Sequence, residues 1–95
     1  MIVTDLVQTC EACPSQWEGR CDDRLVYVRF RHGRLSVRVS PPGATKIEDA
    51  VCGLEILGEN LSHGLAGHIE WDEVAQRLAP VDLPLTIQIM AEYGA

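Results

Sequence analysis

No apolar run in this sequence approaches the ~20 residues that a membrane-spanning helix needs. The opening MIVTDLVQ has no basic residue ahead of its apolar part, and Asp5 interrupts it, so no secretory signal is read there. A glycine-rich phosphate loop and a nucleophile elbow are both missing. Serines are few, and none sits in a recognisable catalytic setting. There is no internal repeat and no low-complexity tract. Positive charge is scarce outside one stretch: beyond residues 15–40 the chain carries only Lys46 and Arg77. These gaps exclude a membrane span and give no support to nucleotide hydrolysis or serine-based acyl transfer. The expected setting is cytoplasmic, where cysteines are reduced thiols or metal ligands rather than disulfides.

What remains is enough for one folded domain. The chain has 95 residues, of which 46% are apolar and 23% charged, a balance that argues against disorder. At this length roughly 60–70% of the unfolded chain's surface is buried on folding, enough for one small core. The net charge is −6, unevenly spread. Residues 15–40 hold six arginines against Glu18, Asp22 and Asp23, while residues 41–95 hold nine acids. Overall acidity argues against general nucleic-acid binding, which relies on neutralising phosphates.

Residues 15–40 read as a three-stranded antiparallel meander. His32-Gly33 suits a two-residue type I′ turn, which needs positive φ at both positions. That turn pairs Arg31 with Arg34, Phe30 with Leu35, Val28 with Val37 and Val26 with Val39. One face is then Val26, Val28, Phe30, Leu35, Val37 and Val39. The other is Tyr27, Arg29, Arg31, Arg34, Ser36 and Arg38. A second turn at Asp22-Asp23 pairs Trp17 with Val28, Glu18 with Tyr27 and Gln16 with Arg29. Both turns bury the same face, and a one-residue slip would mix the sets.

On either side the pattern is less sharp. Residues 2–9 alternate and can add a strand. Pro41-Pro42-Gly43 ends the meander. Thr45 and Glu48 form a capping box. Ile47, Ala50, Val51, Leu54 and Leu57 recur at helical spacing, so a helix is expected over 46–57. Residues 71–79 read as a second helix with Trp71, Val74, Ala75 and Leu78 as its apolar face, stopped by Pro80. Residues 85–90 alternate and suggest a last strand. The expected fold is one α+β domain with both helices packed on the apolar face of the sheet.

Three sets of residues carry the chemistry. Cys10-x-x-Cys13 can supply two thiolates to a zinc ion, with Cys21, Cys52, His32, His63 and His68 as candidates for the rest. Its ordinary reading is a pair of structural thiols, and a redox role is disfavoured because Pro14 and a strand follow it. His63 and His68 with Glu70, Asp72 and Glu73 could suggest a metal-assisted hydrolase. However, the two histidines are separated by glycines, and the acids suit the first turn of a helix. The third set is charged surface. Tyr27, Arg29, Arg31, Arg34 and Arg38 make an arginine face, and Arg and Tyr are enriched at interfaces. Glu48, Asp49, Glu55 and Glu59 make an acidic helical stripe that could imitate phosphates toward a basic partner. Either can be ordinary solvated surface.

The stretch CEACPSQWEG at 10–19, followed by VYVRFRHGRLSV at 26–37, resembles small uncharacterised proteins of bacteria and their phages. The resemblance covers residues 10–78 and implies no chemistry. It implies a setting in which small acidic proteins, anti-CRISPR proteins and other host-defence inhibitors among them, act by binding a host protein or ribonucleoprotein. The expectation is therefore a non-enzymatic interaction protein with neither a membrane partner nor sequence-specific nucleic-acid recognition. A zinc-stabilised module and a nucleotide or anion binder using the arginine face are the alternatives. A homodimer through an end strand is open.

Overall fold

A computed structural model describes residues 1–12, 14–61 and 67–82. In chain order the elements are β1 (Thr4–Cys10), β2 (Ser15–Cys21), β3 (Arg24–Arg31), β4 (Arg34–Val39), α1 (Glu48–Val51), β5 (Leu54–Asn60) and α2 (Trp71–Leu78). The strands form one antiparallel sheet in the order β1-β2-β3-β4-β5. The α+β class and the antiparallel sheet agree with the sequence reading. The sheet, however, has five strands: the three of the expected meander, β1 overlapping the alternating residues 2–9, and β5 where a helix was expected. The expected strand at 85–90 lies outside the described residues.

The centre of the sheet has the expected register throughout. Arg31 pairs with Arg34, Phe30 with Leu35, Val28 with Val37 and Val26 with Val39. Trp17 pairs with Val28, Glu18 with Tyr27 and Gln16 with Arg29. His32 and Gly33 take φ of 53° and 72°, as the tight turn requires, and Asp22 takes φ of 54° in the other turn.

The core follows from that alternation. Val26, Val28, Phe30, Leu35, Val37 and Val39 are each at most 1% exposed. They pack with Trp17, Ile69, Val74 and Leu78 into one cluster. Burying a side chain of this size stabilises by about 1.5–3 kcal/mol. The two tryptophans meet in the core, with ring centroids 5.5 Å apart and planes tilted by 55°.

α2 starts at an extended Glu70 and carries Asp72 and Glu73 in its first turn and Arg77 in its last, as the helix dipole prefers. Val74 and Leu78 are its buried residues. The amino group of Met1 donates to the carbonyls of Leu78 (3.1 Å) and Ala79 (3.3 Å), a cation at the helix's negative end. On the other side, Arg77 reaches Glu59 of β5 at 2.6 Å. Ser15, fully buried, ties the approach to α2. Its hydroxyl accepts from the Ile69 amide at 3.2 Å and lies within reach of the Gly67 carbonyl at 3.2 Å and of the Glu11 carbonyl.

The helix expected over 46–57 is the main correction. Only Glu48–Val51 is helical, Ile47 is the N-cap without a side-chain cap bond, and the Thr45–Glu48 capping box does not form. Residues 54–60 are instead the edge strand β5, paired with β4. A bulge between Val37 and Arg38 sets Leu57 opposite Val37 and Leu54 opposite Val39, so both leucines face the same side. A spacing of three, which reads as helical, is here the signature of one extra residue in a strand.

Nor do both helices pack on one face. Ala50 is fully buried yet lies outside the core cluster. Arg38, on the opposite face, donates to the Gly53 carbonyl at 2.9 Å. α1 therefore closes the end of the sheet on its outer side, and of the two described helices α2 is the one on the core face.

Gly53 separates the two readings experimentally. In a helix interior, Gly53→Ala would stabilise by about 1 kcal/mol. Here an added Cβ would run into the backbone carbonyl of Val39. The substitution is expected to destabilise by about 1–3 kcal/mol, read by urea unfolding.

Candidate docking face

The period of two that buries the valines sends the alternate side chains outward. On β2 to β5 the outer face presents Arg20, Arg29, Arg31, Arg34 and Arg38 against only Glu18 and Glu55 among charged groups. Tyr27 lies between Glu18 and Arg38 in the ladder, and its hydroxyl accepts from the Gln16 amide at 2.8 Å. The five residues of the expected arginine face, Tyr27, Arg29, Arg31, Arg34 and Arg38, are thus brought together.

They do not share one role. Arg34 is bound bidentately by Glu55, with Nη2 at 2.9 and 3.0 Å from the two carboxylate oxygens. Ser36 donates to the same carboxylate at 2.7 Å. Arg38 is spent on the Gly53 carbonyl. Arg29 and Arg31 take part in no ion pair among the described residues. Arg31 is exposed, Arg29 is half-buried, and the Nε of Arg29 is buried with no hydrogen-bond partner. Guanidinium is a planar fork built for carboxylate or phosphate, so these two, and Arg20 nearer the β1 edge, are the donors left over for an outside anion.

The acidic stripe does not survive as a surface. Glu48 and Asp49 are exposed in the first turn of α1. Glu55 and Glu59 lie on β5, where Glu55 opposes outward-facing Arg38 and Glu59 opposes core-facing Leu35. One neutralises the arginine face and the other holds Arg77 of α2. Sequence reasoning also passed over Arg24, and it gave the 40–47 connection no part in a site. Arg24 is 3% exposed and donates to the Ser40 carbonyl at 3.3 Å. An open hollow on the outer side, beside Glu18 and Arg20, is lined by Asp5, Leu25, Thr45 and Ile47.

The cysteines are dispersed. Cys10 is half-buried at the end of β1, Cys21 is buried and Cys52 is exposed. Burial pushes the Cys21 thiol up from its ordinary value, and the neighbouring Asp22 adds to the shift. Cys13 and His63 lie outside the described residues. Among the described residues no group of three or more His, Cys, Asp or Glu side chains could hold a metal ion. His68 does approach the cysteine turn: Nδ1 is 3.1 Å from the Glu11 carbonyl, and Nε2 is 2.9 Å from Glu70. The bond to Glu70 raises the imidazole's pKa most, followed by the Glu11 carbonyl. His32 is exposed in its turn. Asp72 and Glu73 sit in the first turn of α2, where the helix dipole accounts for them. No described helix is long and apolar enough to cross a membrane.

The Glu55 carboxyl is held below its ordinary value, first by the Ser36 hydroxyl and then by Arg34 and Arg38, against the opposing effect of burial. A depressed carboxyl pKa stabilises the fold above the unfolded value, and that stabilisation is lost as pH falls through the folded value. Ser36→Ala is expected to move the Glu55 midpoint upward in an NMR titration of its side-chain carboxyl carbon. An unmoved midpoint would contradict the assignment.

No protein-family model, no curated protein and no solved structure matches the chain.

Proposed function

We propose that this is a non-enzymatic interaction protein that docks an acidic region of a protein or ribonucleoprotein partner on the outer face of its sheet. The observation that carries the reading is the pair Arg29 and Arg31, without carboxylate partners among the described residues and on the same face as Tyr27. Arg31 also stands directly opposite Arg34 in the ladder. Like charges in that position destabilise the strand pair, and Glu55 neutralises only the Arg34 side of it. Arg and Tyr are the residue types that most often dominate binding energy at protein interfaces. The setting we attach to the module is inhibition of host defence by a phage or mobile element, of the anti-CRISPR kind. That finer reading rests on the resemblance carried by residues 10–19 and 26–37.

Retention of a partner from lysate of the host, compared between wild type and Arg31→Glu, tests the docking face. Arg31 is exposed and faces Arg34, so the substitution should leave the fold intact and the melting temperature no lower. The retained partner's affinity should fall about tenfold or more, as for a truncated anchor. Undiminished affinity for Arg31→Glu, and for Arg29→Gln beside it, would remove the face from consideration.

The second reading we propose is a zinc site at Cys10 and Cys13. The observation favouring it is His68, whose ring stands at the carbonyl of Glu11, the residue after Cys10, and would exchange its Glu70 or Glu11 contact for the metal. The described residues alone do not supply a complete ligand set. Native mass spectrometry of the untagged chain grown with zinc decides it. One zinc per chain, lost in His68→Ala, would support the site, and a metal-free mass would end this reading.

A further inference from the structure

Asp5, Glu18 and Arg20 are as unengaged as Arg29 and Arg31. Their side chains form no ion pair and no hydrogen bond among the described residues. All three line the open hollow on the outer side, about 380 Å³ in volume, whose apolar walls include Val7, Leu25 and Ile47. Glu18 is half-buried there, so part of its hydration is lost with no cation to replace it. Two carboxylates against one guanidinium leave the hollow net negative. A long basic side chain suits such a place, since its stem lies on apolar surface while its charged head reaches the acids.

The ladder fixes where the hollow stands relative to the free arginines. Arg31, Arg29, Tyr27 and Leu25 follow one another at every second residue of β3. Glu18 is opposite Tyr27, and Arg20 is opposite Leu25. From Arg29 to Leu25 is roughly 13 Å at the rise of a strand. Arg38, which lies between them on β4, is spent on the Gly53 carbonyl. The unengaged charge is therefore positive toward the His32-Gly33 turn and net negative at the hollow.

We infer that the partner segment docked on this face is extended and charge-ordered. Its acidic side chains meet Arg31 and Arg29, and one lysine or arginine further along places its head against Glu18 and Asp5. An extended segment shares the strand's period of two, so its alternate side chains meet Arg31, Arg29, Tyr27 and Leu25 in turn. A segment basic throughout is repelled by Arg20, Arg29 and Arg31, and one acidic throughout by Asp5 and Glu18. The acidic half of this pattern rests on the docking reading given above, and the basic half rests on the hollow alone.

Two capped peptides test it by NMR titration of the full-length chain. One is Glu-Thr-Glu-Thr-Tyr-Thr-Arg, and the other is the same with its arginine replaced by glutamate. The first should bind about tenfold more tightly, an attraction having been exchanged for a repulsion. It should shift the amides of Glu18, Leu25 and Ile47 as well as those of Arg29 and Arg31. Glu18→Gln should abolish most of the preference at an unchanged melting temperature, and Arg31→Glu should weaken both peptides. Equal binding of the two, or a preference that survives Glu18→Gln, would overturn the inference. The docking reading would stand in that case if Arg31→Glu still weakened both. A preference that needs Glu18 but ignores Arg31→Glu would overturn the charge order and the docking reading together. No binding by either peptide would overturn the charge order.

Discussion

Burial of one face of the β3–β4 hairpin is the constraint on which the remaining structure depends. Six side chains, Val26, Val28, Phe30, Leu35, Val37 and Val39, are removed from water almost completely. The side-chain period of a strand is two, so committing this set inward commits Tyr27, Arg29, Arg31, Arg34 and Arg38 outward. The arginine face is therefore not an independent feature. It is the necessary reverse of the core, and nothing can move the arginines without unpacking the valines. α2 is held to the same core by Val74 and Leu78, and its C-terminal turn is tied by Met1 and by the Arg77–Glu59 pair.

Charge is then sorted by face. β5 places one glutamate on each side of the sheet: Glu55 among the arginines and Glu59 toward α2. Part of the acidity that looks like a binding surface is spent on holding the fold together. The same accounting leaves Arg20, Arg29 and Arg31 as the outer-face arginines whose side chains have neither a carboxylate nor a carbonyl partner among the described residues. Because the half-buried Arg29 is flanked across the ladder by Gln16 and Ser36, it is held in position more firmly than a surface arginine on a loop. A preset guanidinium loses less freedom on binding, which is the property that separates an anchor from a bystander.

The hairpin was legible in the sequence because two independent turns, His32-Gly33 and Asp22-Asp23, imposed the same inward set on three strands. α2 was legible because its apolar spacing, its acidic start and Pro80 agreed. β5 was hidden by its bulge. Ile56 is the extra residue, and removing it from the count restores the alternation of Leu54, Glu55 and Leu57 across the sheet. With it in place, Leu54 and Leu57 continued the spacing begun by Ile47, Ala50 and Val51. The arginine face was read correctly as a set, but its division into engaged and unengaged members was not readable. That division depends on Glu55 and Gly53, which a helix would have placed elsewhere.

The identity of residues 54–60 as a strand decides whether Glu55 reaches Arg34 and Ser36 at all, and hence which arginines are left for a partner. Nuclear Overhauser contacts between the backbones of β4 and β5 measure this directly. The account predicts cross-strand contacts linking Val37 with Leu57 and Val39 with Leu54, with extended-chain carbon shifts over residues 54–60. Contacts three residues apart within 46–57, with helical shifts and no approach to β4, would contradict it and dissolve the division of the arginine face.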